Sequence, residues 1–306
     1  MDNKMALEAG IAELVNGFIA AGRPSPRTQS VEERRAGYVA STVLAGDKEM
    51  RVQTRAFEHE GIRFWVASPL LLSDPRPAVI YYHGGCFISG GVTTHEKQLR
   101  QLAYQGNCHV IAVEYRQAPE FTYPTAHDDA LKGADIVWRN ASLFGINPNQ
   151  ITLAGDSAGG HLALVTTLRL KKSGQWLPAQ LLLIYPMLDA TARCESYIRN
   201  GEDYVITRDT LLSGYEMYLA DLPREHPEAS PLWRDDFNGL PPVHIITAEY
   251  DPLCDEGKEL HRRMQNQRVN CSHQEYAGVI HGFFQLAGIS ASARRVMKDV
   301  ARRIAF

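Results

Sequence analysis

Ser157 stands in the stretch ITLAGDSAGGHLAL, residues 151–164. The left flank, 151–154, reads as a short buried strand; the right flank, from Ala158 to Leu168, reads as a helix. A serine on so sharp a bend has a strained backbone and an exposed hydroxyl. The residues two before and two after it must be small to avoid collision, and Gly155 and Gly159 are. The helix start beneath it adds partial positive charge and free N–H groups. The pattern G-x-S-x-G alone is weak because both residue types are common, and a plain strand-to-helix turn would also explain it. What points to a nucleophile is the placement after a strand and at the opening of a helix.

A serine hydroxyl is a poor nucleophile near neutral pH. It needs a base, and the base needs an orienting acid. Both come later in the chain. The run AEYDPLCDEG, 248–257, puts Asp251 in the loop after a strand at 242–248. The run GVIHGFF, 278–284, puts His281 in the loop after a strand at 271–277. Among eleven histidines, His281 is singled out by that loop and by Gly282. His244 and His273 lie inside strands and read as packed or surface residues. Glu249 still belongs to its strand, and Asp255 and Glu256 open the next helix, where acids are favoured by the dipole alone.

Acyl transfer at a serine also creates an oxyanion, which needs preorganised N–H donors. Ala158, directly after the serine, supplies one. The loop YYHGGCFISGG, 81–91, supplies the others: Gly84 and Gly85 let backbone N–H groups approach a substrate closely, although a simple glycine turn would look the same. The spacing fails G-x-G-x-x-G and no Gly-Lys-Ser/Thr follows, so neither a dinucleotide nor a phosphate loop is supported.

These loops need a frame. Residues 50–57 and 62–68 read as a hairpin around Gly61. Further strands fall at 77–83, 108–115, 150–155, 180–185, 242–248 and 271–277, with helices near 124–142, 158–172, 254–268 and 290–304. Alternating strands and helices predict a mostly parallel eight-stranded sheet with helices on both faces. Ahead of it, Ile11, Leu14, Val15, Phe18 and Ile19 form one helical stripe. Ser30 and Glu33 make a capping box for a second helix running to about Gly46. These first 46 residues either pack plainly on the core or cover a site. Segment 189–240 interrupts the alternation, with a helical piece near 208–220, and is a second covering candidate.

Composition excludes several classes. Apolar residues make up 44% and charged residues 22%, with 32 basic and 35 acidic groups giving −3, so no nucleic-acid partner is expected. Five scattered cysteines without C-x-x-C spacing argue against a disulfide framework or a zinc site. No apolar run reaches membrane-spanning length, and the N-terminus, with Asp2, Glu8 and Glu13, lacks the pattern of a secretion signal. A soluble, cytoplasmic protein without metal or cofactor is expected; a homodimer is left open.

HGG at 83–85, YRQAPE at 115–120, GDSAGG at 155–160, DPLCDEG at 251–257 and HGF at 281–283 occur in that order. From about residue 75 to 285 the chain resembles the hormonesensitive-lipase-like branch of the α/β-hydrolases, the bacterial acetyl esterase and arylesterase group. The resemblance implies an α/β-hydrolase fold with a helical cap made by residues 1–46 and a second segment, 189–225, on a catalytic domain of residues 47–306. It implies a serine carboxylesterase with Ser157 as nucleophile, His281 as base and Asp251 as orienter. Oxyanion donors would come from Gly84, Gly85, Cys86 and Ala158, with His83 supporting the loop and carrying no proton. Tyr115, Arg116, Pro119 and Glu120 would shape the loop after the fourth strand. One departure stands out: the family has H-G-G-G, and the fourth position here is Cys86. If that position needs positive φ, a cysteine is strained there. A formamidase-like branch of the fold also tolerates a non-glycine there, which keeps an amide substrate alive.

The expected reaction is hydrolysis of short-acyl-chain esters through an acyl-enzyme. The alternatives are an amidase or formamidase of the same fold, and a ligand-binding or regulatory relative, which usually has lost a triad member. No tryptophan is assigned to the pocket, core packing being the default for each. Activity should rise as His281 loses its proton; a flat rate from about pH 5 to 9 in a stable enzyme would count against the scheme.

Overall fold

Apolar runs bounded by turn residues make eight strands: β1 Val52–His59, β2 Ile62–Pro69, β3 Arg76–Tyr82, β4 His109–Glu114, β5 Ile146–Asp156, β6 Gln180–Ile184, β7 Val243–Tyr250 and β8 Cys271–Ile280. They join into one sheet in the order β1-β2-β4-β3-β5-β6-β7-β8. The β1–β2 and β2–β4 pairs are antiparallel and the other five are parallel. The computed structural model describes residues 6–70 and 75–304. The first five residues of the expected cap segment and residues 71–74 and 305–306 of the expected catalytic domain lie outside the described residues.

The central strands read as continuous apolar runs because both faces are covered. In β3, Ala78, Ile80 and Tyr82 face one layer, while Val79 and Tyr81 face the other. The helices are α1 Ala9–Ala20, α2 Val31–Ala40, α3 Val92–Gly106, α4 Thr125–Arg139, α5 Ala141–Phe144, α6 Ala158–Ser173, α7 Ser196–Arg199, α8 Arg208–Leu219, α9 Cys254–Asn266 and α10 Ala291–Ile304. Ala130, Leu162 and Leu260, from α4, α6 and α9, pack on the first layer. Ile11, Leu102 and Val300, from α1, α3 and α10, pack on the second. Strand β1 is the outer edge; its exposed Gln53, Thr54, Arg55 and Glu58 make a poor template for further pairing.

Several elements differ from the sequence reading. Helix α3 was not anticipated at all, because its inner face mixes Leu99, Leu102 and Ala103 with buried His95, Gln98 and Arg100. Arg100 is satisfied by Glu96 at 2.8 Å and by the carbonyls of Glu49 and Val52 at 3.1 and 2.7 Å, so a charged residue holds an interior position. The helix expected at 124–142 breaks at Asn140 into α4 and α5. The helix expected to reach Gly46 ends at Ala40 and tightens into a 3₁₀ turn, Ser41–Ala45, before Gly46 at φ 78°. Its capping box forms, with Ser30 Oγ accepting from Glu33 N–H at 3.1 Å and Glu33 Oε2 from Ser30 N–H at 2.7 Å.

The α1 stripe divides its work. Ile11 and Val15 are buried in the core, whereas Leu14 and Phe18 line a pocket above the sheet. The following residues contact the segment after β6. Arg23 pairs with Asp203 at 2.6 Å, Arg27 pairs with Asp209 and with Glu216, and Ser25 Oγ donates to Asp209 at 2.9 Å.

Gly257 lets α9 lie directly on β7: a Cβ there would overlap the methyl group of Thr247. Gly257→Ala is expected to lower stability by about 1–3 kcal/mol, read as a drop in urea midpoint with an unchanged slope.

Candidate active site

Strand β5 runs into Ser157, which adopts φ 55° and ψ −117°. The strain is held on both sides. Ser157 N–H donates to Ile184 O at 2.9 Å, and Ser157 O accepts from Met187 and His161 N–H, both at 3.1 Å. A Cβ on Gly155 would collide with Gly159, and one on Gly159 would collide with Tyr82 O. Both glycines are therefore required by backbone crowding.

Asp251 follows the last residue of β7, and His281 follows the last residue of β8. Asp251 is fully buried; its Oδ1 accepts from Leu253 N–H at 2.7 Å and its Oδ2 lies 2.7 Å from His281 Nδ1. A carboxylate only accepts, so Nδ1 carries the proton and Nε2 is left as acceptor. Nε2 lies 3.0 Å from Ser157 Oγ. The Tyr185 ring packs against the imidazole, with centroids 4.7 Å apart.

The rival groups are engaged elsewhere. His244 bonds to Ser272 and His273 to Thr247, across β7 and β8. Glu249 accepts from Gly278 N–H at 2.8 Å, and Asp255 pairs with Arg199 at 3.0 Å. Glu256 is more than an acid at a helix start. It is fully buried, accepts from Leu188 and Asp189 N–H at 2.5 and 3.1 Å, and accepts from Tyr197 OH at 2.7 Å. Burial lifts its pKa well above the usual carboxylate range against the pull of those donors.

The glycine loop requires one correction. Gly84 N–H is committed to Asp156 Oδ1 at 2.9 Å, so Gly84 is not an oxyanion donor. The N–H groups of Gly85, Cys86 and Ala158 have no protein acceptor among the described residues. Asp156 itself had no role in the sequence reading. It also accepts from Tyr81 OH at 2.8 Å and meets His95 Nε2 at 3.1 Å. Burial alone would raise its pKa, yet His95 and these donors hold it below the usual value. His95 in turn meets Gln285, whose Oε1 accepts from Tyr38 OH at 2.8 Å. A buried polar chain thus joins α2, α3, the loop after β8 and the glycine loop. Only the position of Asp156, between Gly155 and Ser157, hinted at it.

His83 is buried and stacks on Tyr115 with centroids 4.3 Å apart; its Nδ1 meets Gly84 O at 2.9 Å. Burial, helped by neighbouring His95, pushes its pKa down to about 4, so the ring is neutral. Tyr115 OH donates to His83 O at 2.7 Å, Arg116 pairs with Asp129 at 2.8 Å, and Glu120 pairs with Arg35 at 2.7 Å.

Above these groups lies a pocket of about 390 Å³. Its floor includes Gly85, Cys86, Ser157 and His281; Phe18, Arg34 and Tyr38 from the N-terminal segment and Ile206 and Thr210 from the later one contribute its walls. No tryptophan lines it among the described residues; Trp138 and Trp176 stack on each other in the core, 5.5 Å apart. Among the described residues, no helix is long and apolar enough to cross a membrane.

A family model described as the α/β hydrolase fold matches residues 79–285. The chain belongs to the α/β-hydrolase family. It is 32% identical over 256 residues to carboxylesterase NlhH of Mycobacterium tuberculosis, covering 80% of this chain and 79% of that one. It is 30% identical over 300 residues to an ethyl acetate hydrolase of Pseudomonas putida, covering 93% of each. Among solved structures, an ester hydrolase from the metagenome of Lake Arreo, complexed with a derivative of bipyridine phosphonate, superposes with a TM-score of 0.92 at 31% identity over 98% of both chains.

In this α/β-hydrolase the fourth position of the glycine loop does take positive φ: Cys86 has φ 54° and Phe87 φ 65°. Burial pushes the Cys86 thiol up to about 11, with Arg34 opposing weakly. At pH 8 only roughly a thousandth of it is thiolate. Cys86 should therefore resist iodoacetamide in the folded protein at pH 8. Its alkylation should speed up about tenfold per pH unit until pH approaches 11, read by peptide mass.

Proposed function

We propose that this carboxylic ester hydrolase cleaves short-acyl-chain esters through Ser157 as nucleophile, His281 as base and Asp251 as orienter. The observation that carries the reading is the unbroken line of contacts from Asp251 Oδ2 to His281 Nδ1 and from His281 Nε2 to Ser157 Oγ, 2.7 and 3.0 Å, at the floor of the pocket. His281 takes the serine proton as Oγ attacks the ester carbonyl. The imidazolium is stabilised by buried Asp251. The oxyanion is received by the N–H groups of Gly85, Cys86 and Ala158. His281 then protonates the departing alcohol, and water repeats the sequence on the acyl-enzyme.

His83 acts by packing the glycine loop and takes no part in proton transfer. Residues 1–46 and 189–225 act as the cap over the catalytic domain of residues 47–306; their share of the pocket lining supports this division. The ethyl acetate hydrolase among the relatives supports short acyl chains over long ones. A cytoplasmic location is supported by five free cysteines. One chain supplies every group the scheme needs, so a homodimer is not required for chemistry.

Treatment with a fluorophosphonate should give one adduct, on Ser157, and abolish turnover of p-nitrophenyl acetate. Ser157→Ala and His281→Ala should each lose at least about a thousandfold in kcat with the fold intact by circular dichroism, and Asp251→Asn about a hundredfold or more. An adduct on another residue, or normal turnover in Ser157→Ala, would overturn the assignment.

A further inference from the structure

The pocket holds a cation that no carboxylate of the described residues pairs with directly. Arg34, on α2, lines it together with Ser157, Cys86 and Thr210. Its guanidinium meets two neutral oxygens: Nη1 donates to Ser213 Oγ at 3.2 Å, and Nη2 approaches Thr210 O at 3.5 Å. Ser213 gives its own proton to Thr210 O at 3.0 Å, which leaves its lone pairs to Arg34. With five N–H donors on a guanidinium, most of the binding capacity of Arg34 is unused.

Neighbouring arginines behave differently. Arg27 engages Asp209 and both oxygens of Glu216; Arg35 engages both oxygens of Glu120 at 2.7 Å and two carbonyls. Among the described residues, Arg34 has no carboxylate within ion-pairing distance. The acids nearby are taken. Asp209 is held by Arg27 and Ser25, Glu33 accepts from Ser30 N–H, and Asp156 is bound by Tyr81, Gly84 and His95. Arg34 is partly buried, and burial penalises its charged form more than the unpaired attraction of Asp209 favours it. Such a charge without a counter-ion is costly unless a ligand supplies one.

Its location fits a substrate. Helix α8 lies so close to the glycine loop that a Cβ on Gly214 would press on Cys86 Cβ. Ser213, the partner of Arg34, is the adjacent residue. Arg34 therefore sits on the α8 side of the loop that receives the ester carbonyl.

We propose that Arg34 is a specificity-determining residue, and that the pocket takes esters carrying a carboxylate, which the free donors of Arg34 bind on the α8 side of the glycine loop. The proposal rests on the ester-hydrolase reading above. The carboxylate belongs to the acyl part, as in half-esters of short dicarboxylic acids, or to the alcohol part, as in acyl esters of hydroxy acids; the chemistry recognised is the same.

Two matched pairs distinguish these sources: monomethyl glutarate against methyl pentanoate, and acetoxyacetate against ethyl acetate, each followed by acid release in a pH-stat. In at least one pair the anionic ester should have a kcat/KM about tenfold or more above its neutral partner. Arg34→Met should erase that preference through KM, the anionic ester losing about tenfold more in kcat/KM than its neutral partner; Arg34→Lys should keep part of it. A preference for the neutral ester in both pairs would overturn the proposal. So would an equal loss on both members in Arg34→Met, which would make Arg34 a tie between α2 and α8. Calorimetry with Ser157→Ala reads the anion site without turnover. Binding of monomethyl glutarate or acetoxyacetate that disappears in Ser157→Ala/Arg34→Met supports the site even if wild-type protein hydrolyses no ester, whereas absence of binding of both overturns it. Failure of the ester-hydrolase reading is seen separately, as no turnover of any ester.

Discussion

The end of β3 and the start of α6 approach so closely that backbone touches backbone. Tyr82 O occupies the space a side chain on Gly159 would need, and Gly159 occupies the space needed by one on Gly155. The chain between them has a single way to turn, and Ser157 takes it at φ 55°. That conformation is unfavourable for a serine. It persists because the flanking peptide groups are bonded to Ile184, Met187 and His161, residues of β6, the loop after it and α6. The sheet therefore does more than carry the serine; its neighbouring strand fixes the angle at which the hydroxyl is presented.

Asp251 and His281 arrive by a simpler rule. Parallel strands end on one side of the sheet, and the loops there converge. Asp251 and His281 each follow the final residue of adjacent strands, β7 and β8, and β6 separates them from the serine strand β5. Glu256 ties this region together from below. It stands one turn into the helix that follows Asp251 and receives the N–H groups of Leu188 and Asp189, next to the Met187 that holds the serine carbonyl. On the other side, Asp156 does the same for the glycine loop through Gly84. Two buried acidic side chains, Asp156 and Glu256, thus set the positions of the loops around Ser157.

Periodicity and motif order made most of this legible in advance. Eight strands, the serine bend and the loops of Asp251 and His281 follow from apolar runs and glycine placement. The sign of φ at Cys86 remained open because a sequence does not show whether its loop turns through that region. Helix α3 escapes because its buried face carries the polar residues His95, Gln98 and Arg100, and the groups that hold two of them, Asp156 for His95 and the carbonyls of Glu49 and Val52 for Arg100, lie far away in sequence. Gly84 reads as a donor to substrate because nothing local reveals that Asp156, 72 residues on, claims its N–H. Glu256 reads as an ordinary acid at a helix start for the same reason. What periodicity conveys is which face is apolar; which polar group has a distant partner it cannot convey.

The walls of the pocket are joined differently from its floor. Below, the contacts among Ser157, His281 and Asp251 are buried. Above, the N-terminal segment meets the segment after β6 through Arg23, Arg27, Asp203, Asp209 and Glu216, all with side chains 40% exposed or more. Exposed ion pairs of this kind are individually weak and are screened within a Debye length. The two sets of contacts therefore answer to different variables: ionic strength acts on the ion pairs between the two wall segments and not on the buried contacts among Ser157, His281 and Asp251.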